Sequence, residues 1–199
     1  MSGAGTLVLA SASPRRRELV ASLGIPFEVV ASDVDETLDA VPLPEAVARL
    51  ALRKARAVAP ARPAAIVLAA DTIVVIDDRA LGKPAHAEEA RQMLRALRGR
   101  SHEVMTGVAV VDAATGQSAV ETVISRVTMD AYSDDAIERY VASGEPFDKA
   151  GAYAIQGAGG ALVVALQGSR SNVVGLPLTV TAALLRRFGV EVSAPAREA

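Results

Sequence analysis

Leu7-Val-Leu-Ala-Ser-Ala-Ser-Pro-Arg-Arg-Arg-Glu-Leu19 runs from an apolar strand straight into a helix. Leu7 to Ala10 reads as a buried strand within 6–10. Ser13 stands at the N-cap and Pro14 at the first helical position. The helix is expected over about 14–23, closed by Gly24. Three arginines crowd its first turn, where the macrodipole is already positive. Such a start makes sense with an anion bound to backbone N–H groups, the Ser11 and Ser13 hydroxyls and the arginine forks. A strand–loop–helix unit of this kind points to an α/β chain with a ligand at the strand end.

The rest of the chain follows the same alternation. A second strand is expected at 27–31, then the acidic loop Ser32-Asp-Val-Asp-Glu-Thr37, then a helix from Pro44 to about Ala59. Ile66 to Ala70 reads as a central strand, apolar on both faces. Thr72 to Ile76, a turn at Asp77-Asp78-Arg79, and Ala80-Leu81 read as a hairpin. A helix over 87–98 ends at Gly99. Strands over 102–112 and 119–129 flank Thr115-Gly116, and Ser133 caps a helix over 134–143. Gly151 to Gly160 reads as a glycine-rich loop, Ala161 to Leu166 as a strand, and Pro177 as the start of the last helix. The fold class is α/β: a mixed, twisted sheet flanked by helices.

Composition narrows the function classes. The 199 residues suit a single domain of two lobes over 1–192, with a frayed tail over 193–199. Hydrophobic residues make up 51% and aromatic ones 3%, so Val, Leu, Ile and Ala must build the core. A net charge of −2 argues against nucleic acid or membrane partners. No cysteine is present, which excludes disulfides and thiolate metal sites and fits a reducing cytoplasm. The N-terminus lacks a basic n-region, and no apolar run is long enough to span a bilayer. There are 18 arginines but only three lysines: Lys54, Lys83 and Lys149. These three are candidates for places where a compact ammonium outperforms a planar guanidinium, such as a tight phosphate pocket.

Several loops carry polar residues that packing does not demand. Asp33-Val-Asp-Glu36 could hold a hard divalent cation through oxygen, or could be a solvated acidic loop. Asp71 ends or interrupts the most apolar strand, where an unpaired charge is costly. Lys83 sits in Gly82-Lys83-Pro84, which is too short for a P-loop, and Gly157 to Gly160 does not have dinucleotide spacing. Ser11 and Ser13 have no base nearby, and His86, His102 and Tyr153 read as structural. Together the loops describe a cationic pocket with two or three carboxylates, suited to a polyphosphate–metal complex.

Nine motifs occur in order from about residue 7 to 188. They are Leu9-Ala-Ser-Ala-Ser-Pro-Arg-Arg16, Asp35-Glu36, Lys54, Ala70-Asp71-Thr72, Gly82-Lys83-Pro84, Gly99-Arg-Ser-His102, Asp148-Lys-Ala-Gly-Ala-Tyr153, Ile155-Gln-Gly157 and Val174-Gly-Leu-Pro177. In this the chain resembles the Maf family of nucleoside triphosphate pyrophosphatases. The resemblance implies two lobes around a deep cleft, related to inosine triphosphate pyrophosphatases. It implies a cytoplasmic hydrolase dependent on Mg²⁺ or Mn²⁺, which converts a nucleoside triphosphate to monophosphate and pyrophosphate. A homodimer is one assembly it allows.

Arg15, Thr72 and Gln156 match the dTTP/UTP branch; the 7-methyl-GTP branch typically carries tryptophan, glutamine and glutamate there. The Gln156 amide can match O4 and N3–H of uracil or thymine. Ser11, Ser13, Arg16, Lys54 and Lys83 suit the phosphates, and Glu36 and Asp71 the metal. Asp71 is the implied proton acceptor, acting directly or through the metal. Ser169-Arg-Ser-Asn172 departs from the family, which usually carries a tyrosine in this segment. Two competing readings are a pyrophosphatase for 7-methyl-GTP or another modified nucleotide, and a regulatory nucleotide- or DNA-binding protein in septum formation or cell-cycle control.

Overall fold

Asp71 lies inside an 11-residue strand rather than at the end of a short one. The computed structural model describes residues 5–192. Its strands are β1 (Leu7–Leu9), β2 (Phe27–Val29), β3 (Ile66–Ile76), β4 (Arg79–Leu81), β5 (Ser101–Asp112), β6 (Ser118–Met129) and β7 (Val163–Gln167). Its α-helices are α1 (Pro14–Ala21), α2 (Leu43–Val58), α3 (Ala87–Leu97), α4 (Asp134–Ala142), α5 (Arg170–Val174) and α6 (Leu178–Arg187). The seven strands form a mixed sheet in the order β2-β1-β3-β5-β6-β7, with β4 paired to β3. β1 lies parallel to both β2 and β3, with Leu9 opposite Val29 and Leu68. β1 and β2 therefore end together opposite Leu68, and β3 runs on past them to Ile76.

The expected break at Asp71 does not occur, because its charge is matched and the β-branched run Ile73 to Ile76 carries the strand on. The turn is also one residue tighter than expected. Asp77 and Asp78 alone form it, both with positive φ (50° and 58°), and Arg79 already belongs to β4. That is the geometry of a two-residue hairpin whose twist suits the strands.

The described chain divides into two compact units. The first holds 5–71, 106–123 and 175–192. Side chains along its strands alternate between two cores, as the period of two requires. Leu7, Leu9, Leu68 and Ala70 pack with Val20 of α1 and Ala182, Leu184 and Leu185 of α6. Val8, Val67 and Ala69 pack instead with Ala51, Ala55 and Val58 of α2. Asp71 continues this second row. α2 crosses β5 so closely that a Cβ on Gly107 would lie 2.5 Å from the Val47 carbonyl oxygen. Glycine at 107 thus sets how near α2 can come.

The second unit holds 72–105 and 124–174. All three tyrosines of the protein are buried in it, among Leu94, Ile137 and Val141. Arg91–Glu138 and Arg98–Asp134, each at 2.8 Å, tie α3 to α4. The glycine-rich loop is wound into 3-10 turns at Ala150–Ala152 and Gly157–Leu162, so β7 begins at Val163, two residues later than expected. α5 is a further departure from the sequence reading, which had no helix there. The Ser169 hydroxyl accepts its Asn172 amide at 3.0 Å, and the Asn172 side chain donates to Val104 and Ser125. The tail over 193–199 lies outside the described residues.

His102 has the structural role expected of it. Its Nε2 meets the Tyr153 hydroxyl at 2.6 Å, and burial pushes its pKa down to about 4. An unfolded histidine titrates near 6.5. The unfolded chain therefore binds the extra proton first, and stability falls as pH drops from about 6.5 towards 4. This loss reaches about 3 kcal/mol and should disappear in His102→Gln, as read by urea denaturation across that range. Independently, Gly107→Ala should cost about 1–3 kcal/mol by forcing α2 outward. Gly82→Ala, with open space around its Cβ, should leave the melting temperature nearly unchanged.

Candidate active site

The amphipathic pattern of α2 puts an ammonium where only apolar side chains are expected. Ala46, Val47, Leu50, Ala51, Ala55 and Val58 form its buried face, and Lys54 falls on the same face. The residue is 5% exposed, so its charge needs partners. It has two. Nζ lies 2.6 Å from Asp71 Oδ1 and 2.6 Å from Glu36 Oε1. Asp71 comes from the row of β3 that faces α2, and its side chain is 13% exposed. Glu36 reaches in from the loop after β2 and remains 59% exposed. One ammonium thus holds two carboxylates from separate segments around a single point.

Of the acidic loop, only Glu36 makes this reach. Asp35 instead accepts the Thr37 amide and hydroxyl, at 2.9 and 2.7 Å, and shapes its own turn. These hydrogen bonds hold the Asp35 carboxyl below the usual carboxylate range.

The serine–arginine loop follows β1 at the same strand edge. The Ser11 hydroxyl accepts the Ser13 amide at 3.2 Å, and the Ser13 hydroxyl accepts the Arg16 amide at 3.4 Å, as an N-cap should. Each hydroxyl keeps its own proton to donate to an anion. Arg16 Nε donates to the Gly175 carbonyl at 2.9 Å, which fixes the guanidinium at its base and anchors the Val-Gly-Leu-Pro segment. Burial lowers the Arg16 pKa, Asp71 draws it back up, Arg15 lowers it and Glu36 raises it. Arg16 therefore feels the same two carboxylates as Lys54. Arg17 is exposed, and no role is assigned to it. Lys54 and Arg16 feel the two carboxylates, and Arg15 lies near enough to act on Arg16, an excess of positive charge suited to a polyphosphate.

The remaining sequence candidates lie in the second unit. Thr72 follows Asp71 in β3, Lys83 is exposed after β4, and Gln156 is exposed before Gly157. Gly151 donates its amide to the Gly82 carbonyl at 3.0 Å and so holds the Gly-Lys-Pro loop. Lys149, one of the three lysines offered for a tight phosphate pocket, is engaged locally. It donates to the Glu145 carbonyl and to Asp148, each at 2.6 Å. The Gly175 carbonyl is the site member missed in the sequence reading; a backbone acceptor leaves no trace in residue identity.

Among the described residues, no group of three or more acidic or histidine side chains gathers at metal-ligand spacing. The Glu36–Asp71 pair does fit a hard cation of another kind. Mg²⁺ is typically held by one or two carboxylates, with phosphate oxygens and waters completing its shell. Two carboxylate oxygens converging on one cationic point match that partial set.

The model of the Maf-like protein family matches residues 6–188. A dTTP/UTP pyrophosphatase of Desulforamulus reducens is 51% identical over 187 residues, 94% of this chain and 98% of the relative. That of Myxococcus xanthus is 56% identical, covering 92% of this chain and 93% of its own. That of Moorella thermoacetica is 53% identical, covering 94% and 96%.

The ion pair has a measurable signature. Lys54→Met leaves the Asp71 carboxylate buried without its ammonium and should cost about 3 kcal/mol of stability. Lys54→Met/Asp71→Asn should recover most of that loss in chemical denaturation while remaining inactive.

Proposed function

Because the chain belongs to the Maf family, we propose that it hydrolyses dTTP and UTP to the monophosphate and pyrophosphate. The observation that carries this reading is the pair Asp71–Glu36 gathered by Lys54 beside a serine–arginine helix start. It is supported by the names of relatives more than 50% identical over nearly the whole chain. On the same grounds we assign the enzyme to the cytoplasm; no helix among the described residues is long and apolar enough to cross a membrane.

Water attacks the α-phosphorus, a new P–O bond forms, and the bond to the β-phosphoryl oxygen breaks. Lys54 takes Asp71 Oδ1, which leaves Oδ2 to accept the proton of the attacking water. Ser11, Ser13, Arg15, Arg16 and the α1 N-terminus hold the phosphate oxygens and take up the charge that develops on them. Glu36 and Asp71 would hold Mg²⁺ or Mn²⁺, which when bound neutralises phosphate charge. Lys83 stabilises the pyrophosphate leaving group. Arg15, Thr72 and Gln156 select the base, with the Gln156 amide pairing to O4 and N3–H. A base without that edge leaves the amide unpaired and is rejected.

A nucleotide panel with pyrophosphate detection, run in Mg²⁺ and in Mn²⁺, tests the reading. dTTP and UTP should exceed GTP, ATP and 7-methyl-GTP in kcat/KM. A preference for 7-methyl-GTP would overturn the substrate assignment. Asp71→Asn should lower kcat at least about 10³-fold with an unchanged fold by circular dichroism.

A further inference from the structure

A cavity of about 580 Å³ opens in the second unit. Gln156 and Arg170 line it, with Val163, Val164 and Leu166 among its apolar walls. It is an open groove whose volume is that of a small-molecule site, and its lining brings the Gln156 and Arg170 side chains to one place. No acidic residue lines it, and among the described residues Arg170 makes no ion pair. Arg170 Nη2 reaches the Ile155 carbonyl at 3.4 Å. The guanidinium is thereby held against the residue that precedes Gln156, with its other N–H donors uncommitted to any carboxylate.

This placement answers a chemical requirement that the Gln156 pairing leaves open. The amide of Gln156 satisfies O4 and N3–H of uracil or thymine. The adjacent O2 is a strong acceptor that a positioned donor can read. Arginine carries only donors, in a fixed fork. We propose that Arg170 is a specificity-determining residue that donates a hydrogen bond to the pyrimidine O2. The assignment rests on the reading of Gln156 as the base-selecting side chain. It gives Arg170 a defined role in this chain. Ser169, Ser171 and Asn172 serve a different end, since the Ser125 and Val104 contacts hold α5 in place.

The test compares UTP with 2-thio-UTP, which differs only in having a poorly accepting sulfur at that position. Wild type should prefer UTP by about tenfold in kcat/KM, the loss of one charge-assisted hydrogen bond. Arg170→Met should lose about tenfold or more on UTP, mostly in KM, and treat the two nucleotides alike. Arg170→Lys should restore part of the preference. Arg170 is exposed, so these variants keep the fold. An equal UTP to 2-thio-UTP ratio in wild type and Arg170→Met overturns the proposal, as does a loss confined to kcat, which would place the guanidinium on a phosphate. If wild type fails to hydrolyse UTP at all, the function reading itself fails, and the two failures are told apart.

Discussion

The ammonium of Lys54 between Asp71 and Glu36 is the interaction around which the first unit is arranged. A lysine on the buried face of α2 is tolerable only if carboxylates meet it, and a carboxylate inside β3 is tolerable only if a cation meets it. Packing brings them together: β3 alternates Val67, Ala69 and Asp71 toward α2, and Gly107 lets α2 lie close enough for Lys54 to reach. The proposed metal–polyphosphate complex would bring the same two kinds of charge to this point.

The parallel arrangement of β1, β2 and β3 explains why the contributing loops are so far apart in sequence. β1 and β2 end together opposite Leu68 of β3, at the carboxyl side of the strands where open α/β sheets collect ligands. Ser11 and Ser13 follow β1, Glu36 follows β2, and Asp71 stands three residues beyond the Leu68 that pairs with the end of β1. The Arg16–Gly175 contact adds the segment before α6 to that edge.

Much of this could be read from residue order. The strand-to-helix start at Ser13-Pro14, the hairpin at Asp77-Asp78 and the amphipathic helices all follow from local rules, and they formed within a residue or two of expectation. Asp71 stood out because an acid within an unbroken apolar run must meet a cation or a ligand to be stable there. The pairing of Lys54 with it was not read, although the spacing of Leu50, Ala51, Lys54 and Val58 already put the lysine on the buried face. What local rules could not supply was tertiary. α5 is five residues, Arg-Ser-Asn-Val-Val, with weak intrinsic preference for helix, and it is held by the Asn172 contacts to Val104 and Ser125. The contacts of Lys149 to Asp148 and the Glu145 carbonyl are likewise set by a tight turn that residue type does not announce.

The proposed hydrolysis turns on attack of water at the α-phosphorus. Hydrolysis of dTTP in H₂¹⁸O followed by mass spectrometry tests this most directly. The label is expected in the nucleoside monophosphate and not in pyrophosphate. Label in pyrophosphate would mean attack at the β-phosphorus and would contradict it.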